Sequence, residues 1–258
     1  MVNKLFDITG KKAIVTGGTR GLGYGMAEGL MESGAEVCIV GTSDKVFDVA
    51  KQFCGRGFKC HGVKADLSVR KNVFQCFDDC MRELGNDLDI LVVAHGIQRR
   101  HSAEVFPENE WDEVINVNLH SVFFLDQLAG RVMLKKGYGK IINIASMVSW
   151  FGGQTVPAYS AAKGGVTQLT KELSNDWIAR GVNVNAIAPG YMATEMNSAL
   201  LDKSNPRYQQ ITDRIPAHRW GTGDDMKGCC IFLASHASDY LGGAIIPVDG
   251  GFSSFSGI

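Results

Sequence analysis

Along the 258-residue chain, short runs that are apolar at almost every position alternate with longer stretches whose apolar positions recur every three or four residues. The short runs predict strands at Lys12–Thr16, Glu36–Val40, Lys59–Ala65, Asp89–Val93, Lys140–Ala145, Val182–Ala188 and Ala244–Val248. Several (AIV, DILVV, IINIA) lack the apolar/polar alternation of a half-exposed strand, as expected when both faces are covered. The periodic stretches predict helices at about Leu22–Ser33, Asp44–Cys54, Val69–Leu84, Asn109–Lys135, Ala158–Arg180 and Asp224–Ala234. In the fifth, Val166, Leu169, Leu173 and Trp177 form one apolar stripe, and Gly34 and Gly181 stand where C-cap glycines belong. The alternation is that of an α/β domain with helices on both faces of a parallel sheet. Residues 1–258 read as a single domain without repeats or low-complexity tracts. One long segment, Tyr191 to Trp220 with Pro206 and Pro216, has no period and is too long for a plain connection, so a substrate loop or lid is expected at about 191–220.

Composition narrows the class. With 45% apolar and 21% charged residues, 31 Gly and 6 Pro, collagen-like, disordered and coiled-coil architectures are excluded. The 26 Lys+Arg and 27 Asp+Glu give a net charge of -1, so no global field draws the chain to nucleic acid or to an anionic membrane. An anionic ligand must be caught locally. The seven cysteines, Cys38, Cys54, Cys60, Cys76, Cys80, Cys229 and Cys230, lack metal-ligand spacing and read as buried thiols of a reducing compartment, with no metal site expected. The N-terminus, MVNKLFDITGKK, has no apolar core of a signal peptide, and no run approaches the roughly 18 apolar residues of a membrane span, so the cytoplasm is the expected location.

Local anion capture has an obvious candidate. The first strand runs into Thr16-Gly17-Gly18-Thr19-Arg20-Gly21-Leu22-Gly23 and then a helix. Glycine permits the tight turn and close backbone approach, while the helix N-terminus offers unpaired N–H groups and the positive end of its dipole. First strand, first turn and first helix is the placement of a dinucleotide site. The second strand ends in Val40-Gly41-Thr42-Ser43, without the acidic residue that would bind both ribose hydroxyls and repel a 2′-phosphate. Arg20 offers a guanidinium to such a phosphate, and Asp44 reads as a helix N-cap. NADP is therefore favoured and NAD remains open.

Tyr159-Ser160-Ala161-Ala162-Lys163 opens the fifth helix, so phenol and ammonium share one face. A nearby cation favours the phenolate and lowers the phenol's pKa from near 10, which makes Tyr159 a usable acid and base. Ser146 ends the preceding strand at the carboxyl edge of the sheet, where its hydroxyl can polarise the same substrate oxygen. Ser146 lacks a nucleophile-elbow context, so acyl transfer is not indicated.

These elements together resemble the short-chain dehydrogenase/reductase family over essentially the whole length: TGGTRGLG, Asp66 in ADLS, Asn118 in NVN, Ser146, Tyr159-x-x-x-Lys163 and Pro189-Gly190 stand in the family's order and spacing. The resemblance implies a seven-stranded Rossmann sheet ordered 3-2-1-4-5-6-7 and a homotetramer. It implies Tyr159 as general acid/base, Ser146 orienting the substrate carbonyl, Lys163 lowering the phenol pKa while binding the nicotinamide ribose, and Asn118 holding a water of the proton relay. Cofactor contacts are implied for Gly17, Thr19, Arg20, Gly21, Leu22 and Gly23, for Thr42 and Ser43, for Asp66 (to adenine) and Leu67, and for Gly96, Tyr159, Lys163, Pro189, Gly190 and Thr194 (to the carboxamide). One departure is evident. The family's Asn-Asn-Ala-Gly after strand four is here Val93-Ala94-His95-Gly96, which removes amides that brace the loops beside the cofactor.

Within the family, Ile97-Gln98-Arg99-Arg100, Lys140–Met147, Asn183–Thr194 and Arg214–Gly221 look like the sugar-acid dehydrogenases acting on 2-deoxy-gluconate and 3-deoxy-ketogluconates, with gluconate 5-dehydrogenases next. A sugar acid needs a cation for its carboxylate and several hydrogen-bonding groups for its hydroxyls. Arg99 and Arg100 follow strand four at the sheet edge, Gln154 lies between Ser146 and Tyr159, and Arg219 closes the long segment, at least one of these arginines being structural. His95 and His218 read as loop or packing residues. The competing readings are a 3-oxoacyl-carrier-protein reductase, which needs an open cleft and a basic docking surface, and a non-catalytic dinucleotide-binding scaffold.

Overall fold

The computed structural model describes residues 4–255. Its centre is a seven-stranded, wholly parallel sheet in the order β3-β2-β1-β4-β5-β6-β7. The strands are β1 (Lys12–Thr16), β2 (Glu36–Gly41), β3 (Cys60–Lys64), β4 (Ile90–Val93), β5 (Gly139–Ile144), β6 (Val182–Pro189) and β7 (Ile245–Val248). Every residue of β4, β5 and β6 is buried, the physical reason that their sequences run without alternation.

On one face lie α1 (Gly21–Glu32), α2 (Lys45–Gly55) and a late helix, Gly223–Ala234, around a core that includes Met26, Leu30, Ile39, Phe53, Met226 and Leu233. On the other lie α3 (Arg70–Glu83), α4 (Glu108–Ile115), α5 (Ser121–Lys136) and α6 (Pro157–Trp177), around Phe77, Leu91, Leu125, Ile141, Val166 and Leu173. The order of strands reverses between β1 and β4, which opens a crevice at the carboxyl edge of the sheet.

Three local readings are corrected. The expected helix Asn109–Lys135 is interrupted: between α4 and α5, residues Asn116–His120 form a π turn. One extra residue in a helical turn hardly disturbs an apolar period, and such turns concentrate at functional sites. The 191–220 segment is partly helical, with α7 (Ser198–Leu201) and α8 (Pro206–Arg214). In α8 only Ile211 is buried, so no stripe marks it in the sequence, while Asn205 caps it by accepting from the Arg207 N–H at 3.0 Å. Beyond it α9 is Gly223–Ala234. Asp44 immediately precedes α2 but makes no side-chain cap; its carboxylate accepts from Lys64 Nζ at 3.0 Å.

Of the cysteines, Cys38, Cys60, Cys76, Cys80 and Cys230 are buried, Cys229 is half-buried and Cys54 is exposed. Among the described residues no helix is long and apolar enough to cross a membrane.

Candidate active site

The crevice is one open cleft of about 1310 Å³, running from the glycine turn past the ends of β2 and β3 to Ser146, Tyr159 and Lys163. That exceeds the 300–1,000 Å³ usual for a small-ligand pocket and suits an extended ligand.

At one end, β1 enters the turn at Gly17, whose φ of +67 is a left-handed conformation that glycine adopts without strain. Six residues on, a Cβ at Gly23 would stand 2.3 Å from the Gly17 carbonyl oxygen, so any larger residue forces turn and helix apart. Arg20 precedes α1 in extended conformation without a side-chain cap, which leaves the first N–H groups of α1 facing the cleft unclaimed by a cap. Backbone close enough for an anion, a helix dipole behind it and a long trough beside it fit a dinucleotide pyrophosphate. Thr19, Gly21, Leu22, Thr42, Asp66 and Leu67 line the same trough. The Asp66 carboxylate is held by the Ser68 N–H at 3.0 Å and its hydroxyl at 2.7 Å. Arg20 is ion-paired with Glu195, across from the turn, a partner its sequence neighbourhood does not announce. Among the described residues Ser43 does not line the cleft, and the chain enters α2 at Lys45, three residues beyond Thr42.

At the other end, β5 delivers Ser146 and the start of α6 delivers Tyr159 and Lys163. Ser146 opens a 3₁₀ turn, accepting from the Val148 N–H at 3.4 Å, while Ser149 Oγ accepts from the Ser146 N–H and donates to the Lys163 carbonyl at 2.9 Å. The serine strand and the tyrosine helix are thus tied together. Lys163 is buried, its Nζ 5.7 Å from the centre of the Tyr159 ring and donating to the Ile144 carbonyl at 2.6 Å. Burial pushes its pKa down to about 8. Burial also raises the Tyr159 phenol, and what draws it back down is the Ser146 hydroxyl and then the Arg100 guanidinium. The expected tuning cation, Lys163, points its ammonium at a backbone carbonyl instead.

Asn118 is fully buried in the π turn and lies behind the cleft wall. Its side chain donates to the Ile97 carbonyl at 2.8 Å and accepts from the Ile97 N–H at 2.9 Å, which clamps the loop after β4. Gly96 sits beneath this clamp, where a Cβ would come 3.2 Å from Asn118 Oδ1 and 4.0 Å from Lys163 Nζ. Pro189, Gly190 and Thr194 complete the wall on the β6 side.

The candidate substrate arginines separate. Arg99 lines the cleft but is held there by Glu113 at 2.9 Å and by the Gln98 carbonyl. Arg100 lines the cleft, close enough to Tyr159 and Tyr191 to act on both electrostatically. Burial lowers its pKa first, with the charge of Arg207 on α8 adding to it. Arg219 forms a two-pronged ion pair with Asp225, at 2.8 and 2.6 Å, and is the structural member of the set. Gln154 is exposed on its loop and, among the described residues, does not line the cleft, since Val156 rather than Gln154 is turned inward. His95 lines the cleft wall, in the loop where this chain has Val93 and Ala94 in place of the family's two asparagines.

Comparison with known proteins follows the same lines. A family model described as enoyl-(acyl carrier protein) reductase matches residues 17–253. The 2-dehydro-3-deoxy-D-gluconate 5-dehydrogenase of Bacillus subtilis is 44% identical over 253 residues, covering 96% of this chain and 97% of its own. The gluconate 5-dehydrogenase of Gluconobacter oxydans is 37% identical over 258 residues, covering 96% and 97%. The crystal structure of a gluconate 5-dehydrogenase from Burkholderia cenocepacia in complex with NADP and tartrate superposes with a TM-score of 0.93 at 38% identity, covering 98% of each chain.

Proposed function

From the premise that the chain belongs to the short-chain dehydrogenase/reductase family, we propose that it is an NADP-dependent dehydrogenase of a sugar acid of the 2-dehydro-3-deoxy-gluconate or gluconate type. The observation that carries the reading is the convergence of Ser146, Tyr159 and Lys163 on one cleft with an uncapped, glycine-lined helix N-terminus. NADP in the Burkholderia relative, together with the absence of an acidic residue at the end of β2, supports that cofactor over NAD.

In this reading Gly17, Thr19, Gly21, Leu22 and Gly23 cradle the pyrophosphate, Arg20 and Thr42 meet the phosphorylated ribose, and Asp66 and Leu67 border the adenine. Gly96, Lys163, Pro189, Gly190 and Thr194 hold the nicotinamide end. When bound, the nicotinamide takes or gives the hydride. The Tyr159 phenolate oxygen removes the hydroxyl proton of a secondary alcohol, and the phenol returns it in reduction. Ser146 Oγ donates to the substrate oxygen as it becomes a carbonyl, and Lys163, its pKa lowered by burial, passes the proton between Tyr159 and a water held at Asn118. Arg100 holds the substrate carboxylate with Arg99 kept in register by Glu113. Residues 191–220 close over the substrate as a lid. The same reading takes the single-domain chain to act in the cytoplasm as a homotetramer, which light scattering and cell fractionation check.

The test is direct. Protein is mixed with NADP or NAD and 2-dehydro-3-deoxy-gluconate or gluconate, and separately with NADPH or NADH and an acetoacetyl thioester, and nicotinamide absorbance is followed. Turnover on the sugar acids, faster with NADP, is expected. Silence on both acids with turnover on the thioester would replace this reading with that of a 3-oxoacyl-carrier-protein reductase.

A further inference from the structure

His95 sits between two elements that the proposed chemistry needs to keep in register. Its Nδ1 is 2.7 Å from Thr16 Oγ1 at the end of β1, and its Nε2 is 2.6 Å from Ser121 Oγ and 3.1 Å from the Val117 carbonyl oxygen in and beside the π turn. The carbonyl can only accept, so Nε2 carries the proton and Nδ1 is left as a lone pair. Thr16 Oγ1 accepts from the Ala94 N–H at 3.1 Å, and its one hydroxyl proton goes to Nδ1 at 2.7 Å in preference to the Val92 carbonyl at 3.4 Å. Ser121 Oγ accepts from Nε2 and donates to the Val117 carbonyl at 2.7 Å. Every donor and acceptor is used in one direction, from the loop after β4 through the imidazole to the π turn.

The consequences reach both halves of the cleft. The His95 backbone lies 3.0 Å from where a Cβ on Gly17 would project, so the histidine's loop is packed on the phosphate turn. The next residue, Gly96, lies under Asn118 and Lys163, and the Val117 carbonyl that His95 grips directly precedes Asn118.

We propose that His95 is a positioning residue, whose neutral imidazole bridges β1 to the π turn and so sets where Asn118 and the Gly96–Ile97 peptide stand relative to Lys163. The bridge takes the place of the amides that Val93 and Ala94 lack. Burial and the Lys163 charge push the imidazole pKa down to about 4, which keeps it neutral while the Val117 carbonyl pulls weakly the other way. The proposal rests on the reading of Lys163 and Tyr159 as the proton-transfer pair, and its first test does not depend on turnover.

That test is the ¹⁵N spectrum of the imidazoles in the cofactor-free protein at pH 7. A His95 signal with the proton on Nε2 is expected, and a protonated ring or the Nδ1–H tautomer overturns the bridge. The second test compares His95→Ala with His95→Gln, whose side-chain amide reaches the Ser121 position. Displacement of the clamp should lower kcat of His95→Ala by about tenfold to a hundredfold, with KM for NADP and the affinity for NADPH by fluorescence unchanged. His95→Gln should recover most of that loss. Wild-type kcat in His95→Ala, or equal impairment in both variants, rejects the positioning role, whereas a wild type inactive on every sugar acid rejects the functional reading and leaves the spectrum to decide the bridge.

Discussion

Replacing Asp126 with asparagine perturbs the polar knot that joins the three elements carrying the site. Asp126 on α5 is fully buried, accepting from Asn143 Nδ2 on β5 at 2.9 Å, and the same amide reaches Thr170 Oγ1 on α6 at 3.2 Å. Asp126 Oδ1 and Asn143 Oδ1 are both buried without a partner. Desolvation raises the carboxyl's pKa from 3.8 to about 8, against the opposing pull of the Asn143 amide. The folded state therefore binds a proton that the unfolded state has released, and stability falls as pH rises between those two values. At about 1.4 kcal/mol per pH unit over most of that window, going from pH 5 to pH 8 costs about 3 to 4 kcal/mol. For a chain of this length that is roughly 10 °C in Tm. The amide introduced by Asp126→Asn would not titrate, and its own Nδ2 would supply a donor for Asn143 Oδ1. Calorimetric melts of both proteins at pH 5, 6, 7 and 8 should show a Tm that declines in the wild type and stays nearly level in Asp126→Asn, with the variant more stable at pH 8. Parallel declines would mean that Asp126 is ionised in the folded protein and the reasoning is wrong.

Gly23→Ala should abolish NADPH binding in fluorescence titrations while leaving a folded sheet by circular dichroism, because the added methyl meets the Gly17 carbonyl at 2.3 Å; binding at wild-type affinity would remove the glycine cradle. Arg100→Ala should raise KM for the sugar acid by roughly tenfold to a hundredfold, the loss of one charge-assisted contact of about 1.5 to 3 kcal/mol, with little effect on KM for NADP. An unchanged KM would assign the carboxylate elsewhere. Because burial raises the Tyr159 phenol and the phenolate is the base, kcat for alcohol oxidation should climb toward alkaline pH, and kcat for ketone reduction, which needs the protonated phenol, should fall there. Stopped-flow pH profiles in both directions check the sign.

Much of the architecture is legible from periodicity because burial on both faces writes itself into β4, β5 and β6 as unbroken apolar runs. The glycine turn and the Tyr159/Lys163 pair are legible because both are local spacings on single elements. What escaped depends on distance in sequence. The His95 bridge joins residues 79 and 26 positions away, the Arg20–Glu195 pair spans two loops, and nothing near Arg99 tells that Glu113 will pair with it where both arginines line the cleft. The π turn escaped because one added residue leaves the stripe of α4 and α5 nearly intact, and α8 because a helix with one buried residue has no stripe to read. Lys163 as the cation acting on Tyr159 followed from helical spacing, but spacing is silent on where the ammonium points, and burial turned it to the Ile144 carbonyl.

The most direct measurement is single-turnover nicotinamide reduction by Tyr159→Phe, loaded with NADP and mixed with the sugar acid that the wild type oxidises best. Loss of the one oxygen that moves the proton should slow the step by a factor of about 10² to 10⁴, with NADP affinity intact. Reduction at the wild-type rate would show that the proton leaves the substrate by another group.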